Sequence, residues 1–132
     1  MQISLVGVNH RTAPITVREK VAIRSVELHH YLSLLRDHAT HGIILSTCNR
    51  TEVYIANRDD YDTGETGLSF FQTHLNIPNT DLTRYAYVIT KQKAVAEHLF
   101  RTACGLDSLI IGEYKILGQV GNALDIAEKA GM

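Results

Sequence analysis

Short apolar segments alternate with amphipathic helical patterns along this chain, and this order limits its fold more than any other feature. The apolar segments lie at residues 2–9, 43–45, 52–57 and 85–89 and have the length and composition of buried strands. In the segments between and after them, apolar residues recur with the spacing of an amphipathic helix. Because strands and helices are interleaved, we predict an α+β fold with one mixed or antiparallel sheet of about four strands packed with helices.

Polar residues mark where several of these helices begin. Residues 16–19 have the spacing of a capping box, and Ser25 and Thr90 are each suited to an N-cap position. We predict helices that begin at these residues, and a loop over 58–67, which carries acidic residues and two glycines. A last amphipathic helix is predicted over 115–130.

Charge and cysteine content exclude several classes of protein. The chain has 13 Lys and Arg against 14 Asp and Glu, for a formal net charge of −1, and its basic residues are scattered. A general electrostatic attraction to nucleic acid is therefore excluded, and any contact with RNA would be local. Two cysteines without a C-x-x-C pair indicate a reducing compartment. Since no segment has the form of a signal peptide or the length of a bilayer span, we expect a cytoplasmic protein that does not enter a membrane.

The segment 45–54 (LSTCNRTEVY) is chemically the most distinctive part of the chain. Cys48 lies at the polar break between two strand-like runs, and Arg50 follows two residues later. A neighbouring guanidinium favours the thiolate, which is the nucleophilic form of cysteine. Thr47 and Asn49 add donors of the kind that an acyl-transfer site uses to hold an oxyanion. The alternative is that Cys48 is a small buried hydrophobic residue, as most free cysteines are.

Two other residues each have a chemical and a purely structural interpretation. Arg50 would hold a carboxylate through two parallel hydrogen bonds, or it is a solvated surface charge. His98 lies at the edge of the apolar stripe of its helix. There it would exchange protons with substrate or thiol, or it fills space as a boundary residue. From the residues alone, the boundary interpretation of His98 is the stronger one.

The histidine pattern does not predict a metal site. His29 and His30 point about 100° apart on a helix, so both do not face one ion. His38 and His41 span a helix end without a third ligand in view. We therefore expect no bound metal.

The glycines of the last third of the chain leave two interpretations open. Gly112, Gly118 and Gly121 indicate either close packing against a neighbouring helix or a backbone that approaches a ligand. No G-x-G-x-x-G follows a strand, and no G-x-x-x-x-G-K occurs. The chain thus shows no pattern for binding a dinucleotide or a nucleoside triphosphate.

Four sequence blocks carry a resemblance to a known family. The chain resembles the N-terminal catalytic domain of glutamyl-tRNA reductases, which supply the five-carbon route to tetrapyrroles. The blocks occur in the order and spacing of that family and span nearly the whole chain. They are 6–14 (VGVNHRTAP), 45–52 (LSTCNRTE), 98–101 (HLFR) with 105–108 (GLDS), and 112–113 (GE) with 116–120 (ILGQV).

The resemblance implies a reaction and a set of site residues. A cysteine thiolate would attack the aminoacyl ester of glutamyl-tRNA, and NADPH would reduce the resulting thioester to glutamate-1-semialdehyde in the full-length enzyme. The implied catalytic residues are Cys48 and His98. The implied substrate-binding residues are Thr47, Asn49, Arg50, Ser108, Glu113, Tyr114, Lys115 and Gln119. Among these, the pair Tyr114-Lys115 departs from the family pattern. Outside this set, Cys104 also departs from it, and we expect Cys104 to be a buried free thiol.

The same resemblance implies a domain organisation and partners. Residues 1–114 would form the catalytic, glutamate-recognising domain, and residues 115–132 would begin a long connecting helix. The NADPH-binding and dimerisation domains of the family are absent from this chain, so the cofactor would be bound elsewhere, with no metal involved. The expected partners are glutamyl-tRNA as substrate, glutamate-1-semialdehyde aminomutase as acceptor of the product, and a second copy of the full-length protein in a homodimer.

Two alternatives to this function come from other classes. The chain would be a non-catalytic module that binds a protein or RNA partner, since it shows no cofactor site of its own. It would otherwise be a cysteine hydrolase of activated esters, in which water resolves the acyl intermediate on the same thiol.

Overall fold

A computed structural model of the chain describes residues 2–58, 63–106 and 115–132. Within these ranges four strands and six α-helices follow one another along the sequence. The strands are β1 (Gln2–Asn9), β2 (His41–Ser46), β3 (Arg50–Asn57) and β4 (Tyr87–Ile89). The helices are α1 (Ile15–Val21), α2 (Leu28–Arg36), α3 (Thr63–His74), α4 (Asn79–Tyr85), α5 (Gln92–Ala103) and α6 (Lys115–Lys129).

The four strands form one antiparallel sheet in the order β2-β3-β1-β4. Strand β3 is inserted between β1 and β2, which therefore run parallel and are joined through α1 and α2. Strands β3 and β4 are related in the same way through α3 and α4. This is the split β-α-β arrangement of ferredoxin-like folds. The predicted α+β class and four-stranded sheet are confirmed, and the sheet is antiparallel rather than mixed.

Helices cover both faces of the sheet, because alternate side chains of each strand point to opposite sides. Val53 and Ile55 belong to the larger core, which lies under helices α1 to α4. Tyr54 belongs to a second core with Leu5 and Leu45, under α5 and α6. The side chains of β3 are therefore divided between two faces of the sheet, and both faces are buried.

Helix starts differ from the capping predictions. α1 begins one residue before Thr16, and its N-cap is Pro14, whose carbonyl accepts the first helical amide bonds. Ser25 begins a short 3-10 turn rather than capping α2. α5 has Lys91 as its N-cap, without a side-chain cap from Thr90. Proline's fixed φ already suits a helix entry, so no hydroxyl cap is needed at α1.

Two local predictions between β3 and β4 are wrong. The predicted loop over 58–67 is too long, because α3 begins at Thr63. Helix α4 was not predicted from the sequence, and Tyr85 ends it instead of beginning a strand, so β4 is limited to three residues. Pro78 is the N-cap of α4.

Helix α6 confirms the last predicted helix. Its buried residues repeat every three or four positions and contribute to both hydrophobic cores. They are Ile116, Val120, Ala123, Ala127 and, just past the helix end, Ala130. In the described ranges no helix is both long and apolar enough to cross a bilayer.

Candidate functional site

Cys48 lies at the tip of the hairpin that joins β2 to β3. The turn is closed by the Thr47 amide, which donates to the carbonyl of Arg50 at 2.7 Å. The hydroxyl oxygen of Thr47 accepts the amide of Asn49 at 3.1 Å, so both neighbours of Cys48 stabilise the turn. The thiol is free and exposed, which excludes the interpretation of Cys48 as a buried hydrophobic residue.

Helix α1 holds this hairpin tip in place. Arg18, in the middle of α1, donates from Nη1 to the carbonyl oxygen of Cys48 at 3.2 Å. The helix that follows Pro14 thus contacts the backbone of the exposed cysteine. The sequence did not suggest this contact.

A cluster of buried polar residues begins at Arg50, the first residue of β3 and two residues after Cys48. Because strand side chains alternate, Arg50, Glu52 and Tyr54 all point to the face covered by α5. Glu52 is fully buried and accepts hydrogen bonds from the hydroxyls of Tyr54 at 3.0 Å and Tyr87 at 2.6 Å. His98 on α5 also bonds to Glu52 through Nε2. We call these five residues, Arg50, Glu52, Tyr54, Tyr87 and His98, the Glu52 cluster.

Electrostatics in the Glu52 cluster favour one carboxylate and two neutral tyrosines. Burial of Glu52 opposes its ionisation, but the hydrogen bond and charge of His98, together with the charge of Arg50, outweigh it and hold its pKa below the ordinary value. Burial and the charge of Glu52 raise the pKa of both Tyr54 and Tyr87. The tyrosines are therefore hydrogen-bond donors at neutral pH, and Glu52 is the acceptor.

Gly7 on β1 makes room for the cluster. It lies opposite Glu52 on one side and Tyr87 on the other in the sheet register. A Cβ atom at this position would lie 2.9 Å from Cγ of Glu52 and 3.0 Å from the hydroxyl of Tyr87. Only a residue without a side chain therefore leaves the space in which the carboxyl group and the tyrosine meet.

Arg50 is buried, so the interpretation of it as a solvated surface charge is wrong. Its exposed fraction is 2%. Nη1 donates to the hydroxyl of Thr102 on α5 at 3.1 Å and lies 3.7 Å from Oε1 of Glu52. Arg50 thus connects the hairpin that carries Cys48 to α5 and to the buried carboxylate.

His98 is more than a boundary residue. Its side chain is 15% exposed and reaches the fully buried Glu52 from the edge of α5. In its neutral form, a ring that donates from Nε2 to Glu52 has Nδ1 as its proton acceptor, so Glu52 favours one tautomer and orients the imidazole. Arg50 and His98 are in this way brought together by a residue that the sequence did not identify.

The other predicted site residues are distributed as follows. Thr47 and Asn49 lie in the hairpin turn, and Gln119 is half-buried on α6, which covers the same face of the sheet as the Glu52 cluster. Ser108, Glu113 and Tyr114 lie outside the described residues, as do Gly112 and the side chain of Lys115.

Cys104 is exposed, so the prediction that it is buried is wrong. The buried positions of α5 are Val95 and Thr102, seven residues apart on one helix face. Cys104 follows the last turn as the C-cap and lies off that face, where it has no core to enter.

An apolar cleft of about 570 Å³ lies near the Glu52 cluster, between the sheet and helices α5 and α6. Tyr54 lines it together with Ile43, Val95, Leu99 and Leu124. Cys48 and His98 do not line it. Within the described part of the chain, no group of three or more His, Cys, Asp or Glu residues is placed to hold a metal ion.

Glu52, Tyr87, Gly7 and Thr102 are the site residues that sequence reasoning missed. One signal was available for Glu52: residues 52 and 54 are Glu and Tyr on one face of the predicted strand 52–57, and Arg50 precedes that strand in the same alternation. The contributions of Gly7, Tyr87 and Thr102 depend on strand register and helix placement, which no local pattern specifies.

Comparison with known proteins gives a consistent result. A family model described as the N-terminal domain of glutamyl-tRNAGlu reductase matches residues 6–132. Curated glutamyl-tRNA reductases from Carboxydothermus hydrogenoformans and Paenibacillus macerans are 46% and 40% identical over 126 and 131 residues, which cover 93% and 98% of this chain. The solved structure of glutamyl-tRNA reductase from Methanopyrus kandleri aligns with a TM-score of 0.73 at 31% identity, over 98% of this chain. This chain spans only 28% and 30% of the two relatives and 29% of the solved chain.

Proposed function

This chain belongs to the glutamyl-tRNA reductase family as its N-terminal domain, and on that premise we propose that it takes the glutamyl group from glutamyl-tRNA as a thioester on Cys48. The observation that supports this proposal is the exposed thiol at the tip of a hairpin whose next strand, β3, carries a buried arginine and a buried carboxylate, which His98 of α5 contacts.

The proposed step is an acyl transfer from oxygen to sulfur. The thiolate sulfur of Cys48 attacks the carbonyl carbon of the ester, and the bond from that carbon to the ribose oxygen breaks. The ribose oxygen of the tRNA leaves with the proton that the thiol gave up, so no metal and no external oxidant are needed. Donors near the thiol would hold the oxyanion of the tetrahedral intermediate.

Arg50 and His98 have distinct roles in this proposal. Arg50 would attract the side-chain carboxylate of the glutamyl group with the donors that its planar guanidinium presents. His98, oriented by Glu52, would carry the proton from the thiol to the leaving oxygen through Nδ1. Thr47, Asn49 and Gln119, together with Ser108, Glu113, Tyr114 and Lys115, remain proposed substrate-binding residues on the strength of the family resemblance.

The described residues do not fit a nicotinamide cofactor. Such a cofactor needs a glycine-rich turn from a strand into a helix, to which its phosphates bind. The connection from β1 to α1 contains no glycine, and Gly7 and Gly42 lie inside strands. We therefore derive no hydride step here, and we assign hydride supply by NADPH, with the release of glutamate-1-semialdehyde, to the full-length reductase.

For that full-length protein we propose a cytoplasmic homodimer that passes its product to glutamate-1-semialdehyde aminomutase. The division into a domain of residues 1–114 and a connecting helix from 115 is part of the same proposal. It is supported by the family resemblance.

Slow ester hydrolysis is a second candidate activity of this chain. The exposed position of Cys48 favours it, because water reaches a thioester formed at the hairpin tip. We expect tRNA to be deacylated slowly and glutamate to be released. A non-catalytic binding module would instead leave the ester intact.

Transfer of labelled glutamate tests the proposed function. Glutamyl-tRNA charged with radioactive glutamate is incubated with the protein, and label bound to protein is counted after acid precipitation and RNase treatment. We expect label on the wild type and on Cys104→Ser, which removes the other exposed thiol, and none on Cys48→Ser. Equal labelling of both serine variants would exclude Cys48 as the nucleophile.

A further inference from the structure

Two histidines from different elements meet on the side of the molecule covered by α2 and α3. His38 follows the C-terminal end of α2, and His74 is the last residue of α3. Their Nε2 atoms lie 3.2 Å apart, and both side chains are half-buried. Neither residue enters the proposed acyl-transfer site.

From this pair we infer a binding site for a divalent transition-metal ion such as Ni²⁺ or Zn²⁺, held by Nε2 of His38 and Nε2 of His74 and completed by water. Two nitrogens bound to one tetrahedral ion at about 2.0–2.1 Å lie about 3.3 Å apart. The observed separation is thus close to what one bound ion requires. In the sequence His38 lies close only to His41, whereas its partner His74 on α3 follows 36 residues later.

Both ligands are held on rigid supports. The backbone of His38 is fixed by a hydrogen bond from its amide to the carbonyl of Leu35 at 2.9 Å. The ring of His74 packs against Phe70, at 5.3 Å between ring centroids, and Phe70 is fully buried. Little conformational entropy would therefore be lost when an ion joins the two rings.

The electrostatic surroundings favour a cation at this position. Both histidines lie at helix C-termini, where the free carbonyl groups carry partial negative charge. Asp37 is close enough to act on His74 as a negative charge.

Water would complete the coordination of the ion. A polar cavity of about 430 Å³ lies beside His74, lined by residues 72–78. In the absence of an ion, one Nε2 donates its proton to the other. An ion needs both lone pairs, so the donating ring moves its proton to Nδ1, and no other reactant takes part.

Titration calorimetry with Ni²⁺ at pH 7.5 tests this site. We expect one ion per chain, and at least about tenfold weaker binding after either His38→Gln or His74→Gln, because the second ligand acts intramolecularly. His29→Gln, an exposed histidine on α2, is the matched control and should bind as the wild type does. Cys48→Ser is titrated in parallel, since an exposed thiol is a competing ligand.

Side-chain ¹⁵N spectra of the wild type, titrated with Zn²⁺, test the site without any substitution. We expect the Nε2 resonances of His38 and His74 to shift together at one equivalent of the ion. No saturable binding, equal binding by all three glutamine variants, or a loss of binding confined to Cys48→Ser would each overturn the inference.

Discussion

At the scale of single residues, Glu52 makes more of the contacts that organise the candidate site than Cys48 does. Its carboxylate has no exposed surface and lies near Arg50. It forms hydrogen bonds with His98, Tyr54 and Tyr87. Removing one partner from a buried charge network leaves the others uncompensated, which costs more than the pair contributes as a whole. Glu52 is accordingly both a stability determinant and the group that orients His98.

Neutralising Glu52 tests both consequences. We expect Glu52→Gln to lower the free energy of unfolding by about 3 kcal/mol, because His98 and Arg50 lose their common anion in the interior. Glu97→Gln, which changes an exposed carboxylate one residue before His98, should leave stability within about 0.5 kcal/mol. Urea denaturation of both variants measures the difference. A Glu52→Gln variant as stable as its control would show that the buried network is not formed.

Arg50 differs from a simple positive charge. We expect Arg50→Lys to slow acyl transfer from glutamyl-tRNA at least about tenfold, since lysine keeps the charge but not the planar fork of donors. Arg24→Lys is the matched control, because Arg24 forms an exposed ion pair with Glu27. Initial rates of label transfer compare the two variants. Equal rates would mean that Arg50 serves only to hold Thr102 and Glu52.

At the scale of elements, the strands were predictable because their signal is local. The alternation of side chains in β3 and the short apolar run in β1 specify strands wherever they occur. The starts of the helices were not predictable, because the N-caps are Pro14 and Lys91 and not the hydroxyl residues Thr16 and Thr90. Helix α4 was missed because seven residues with one buried leucine carry too little periodicity to be recognised.

Glycine has opposite consequences in two helices, and this contrast is testable. In α3, a Cβ at Gly67 would lie 2.5 Å from Cγ2 of Val6, so this glycine lets the helix approach β1 closely. In α6, a Cβ at Gly121 meets nothing within 4 Å among the described residues, which speaks against the close-packing interpretation.

We expect Gly67→Ala to destabilise the protein by about 1–3 kcal/mol, because the added methyl group overpacks the contact between α3 and β1. Gly121→Ala should instead stabilise it by up to about 1 kcal/mol, since alanine is the better helix former. Thermal unfolding of the two variants against the wild type gives both signs. A stabilising Gly67→Ala would show that α3 lies farther from the sheet than described.

At the scale of the whole molecule, the Glu52 cluster makes stability depend on pH. The pKa of Glu52 is lower in the folded chain than its ordinary value of 4.5, so the unfolded chain binds more protons between the two values. The stabilisation from Glu52 is complete above about pH 4.5 and is lost as the pH falls through the folded pKa. We expect a steeper loss of stability on acidification in the wild type than in Glu52→Gln, measured by denaturation between pH 6 and pH 3. Parallel curves would contradict an ionised Glu52 in the folded protein.

The candidate site was predictable only in its contiguous part. Residues 47–50 were recognised because thiol, amide and guanidinium follow one another in the sequence. The bond between His98 and Glu52 joins residues 46 positions apart and depends on how α5 lies across the sheet, which no segment specifies by itself. The family resemblance supplied His98, whereas the reason for its orientation came only from the fold.

Peptide mapping of the acylated protein tests the central claim most directly. The chain is mixed with glutamyl-tRNA, quenched in acid within seconds to preserve thioesters, digested, and analysed by mass spectrometry. We predict a glutamyl group on the peptide that contains Cys48, released by neutral hydroxylamine, and an unmodified peptide around Cys104. A glutamyl group found only at Cys104 or on a lysine, or an unmodified Cys48 while the tRNA is consumed, would contradict the account.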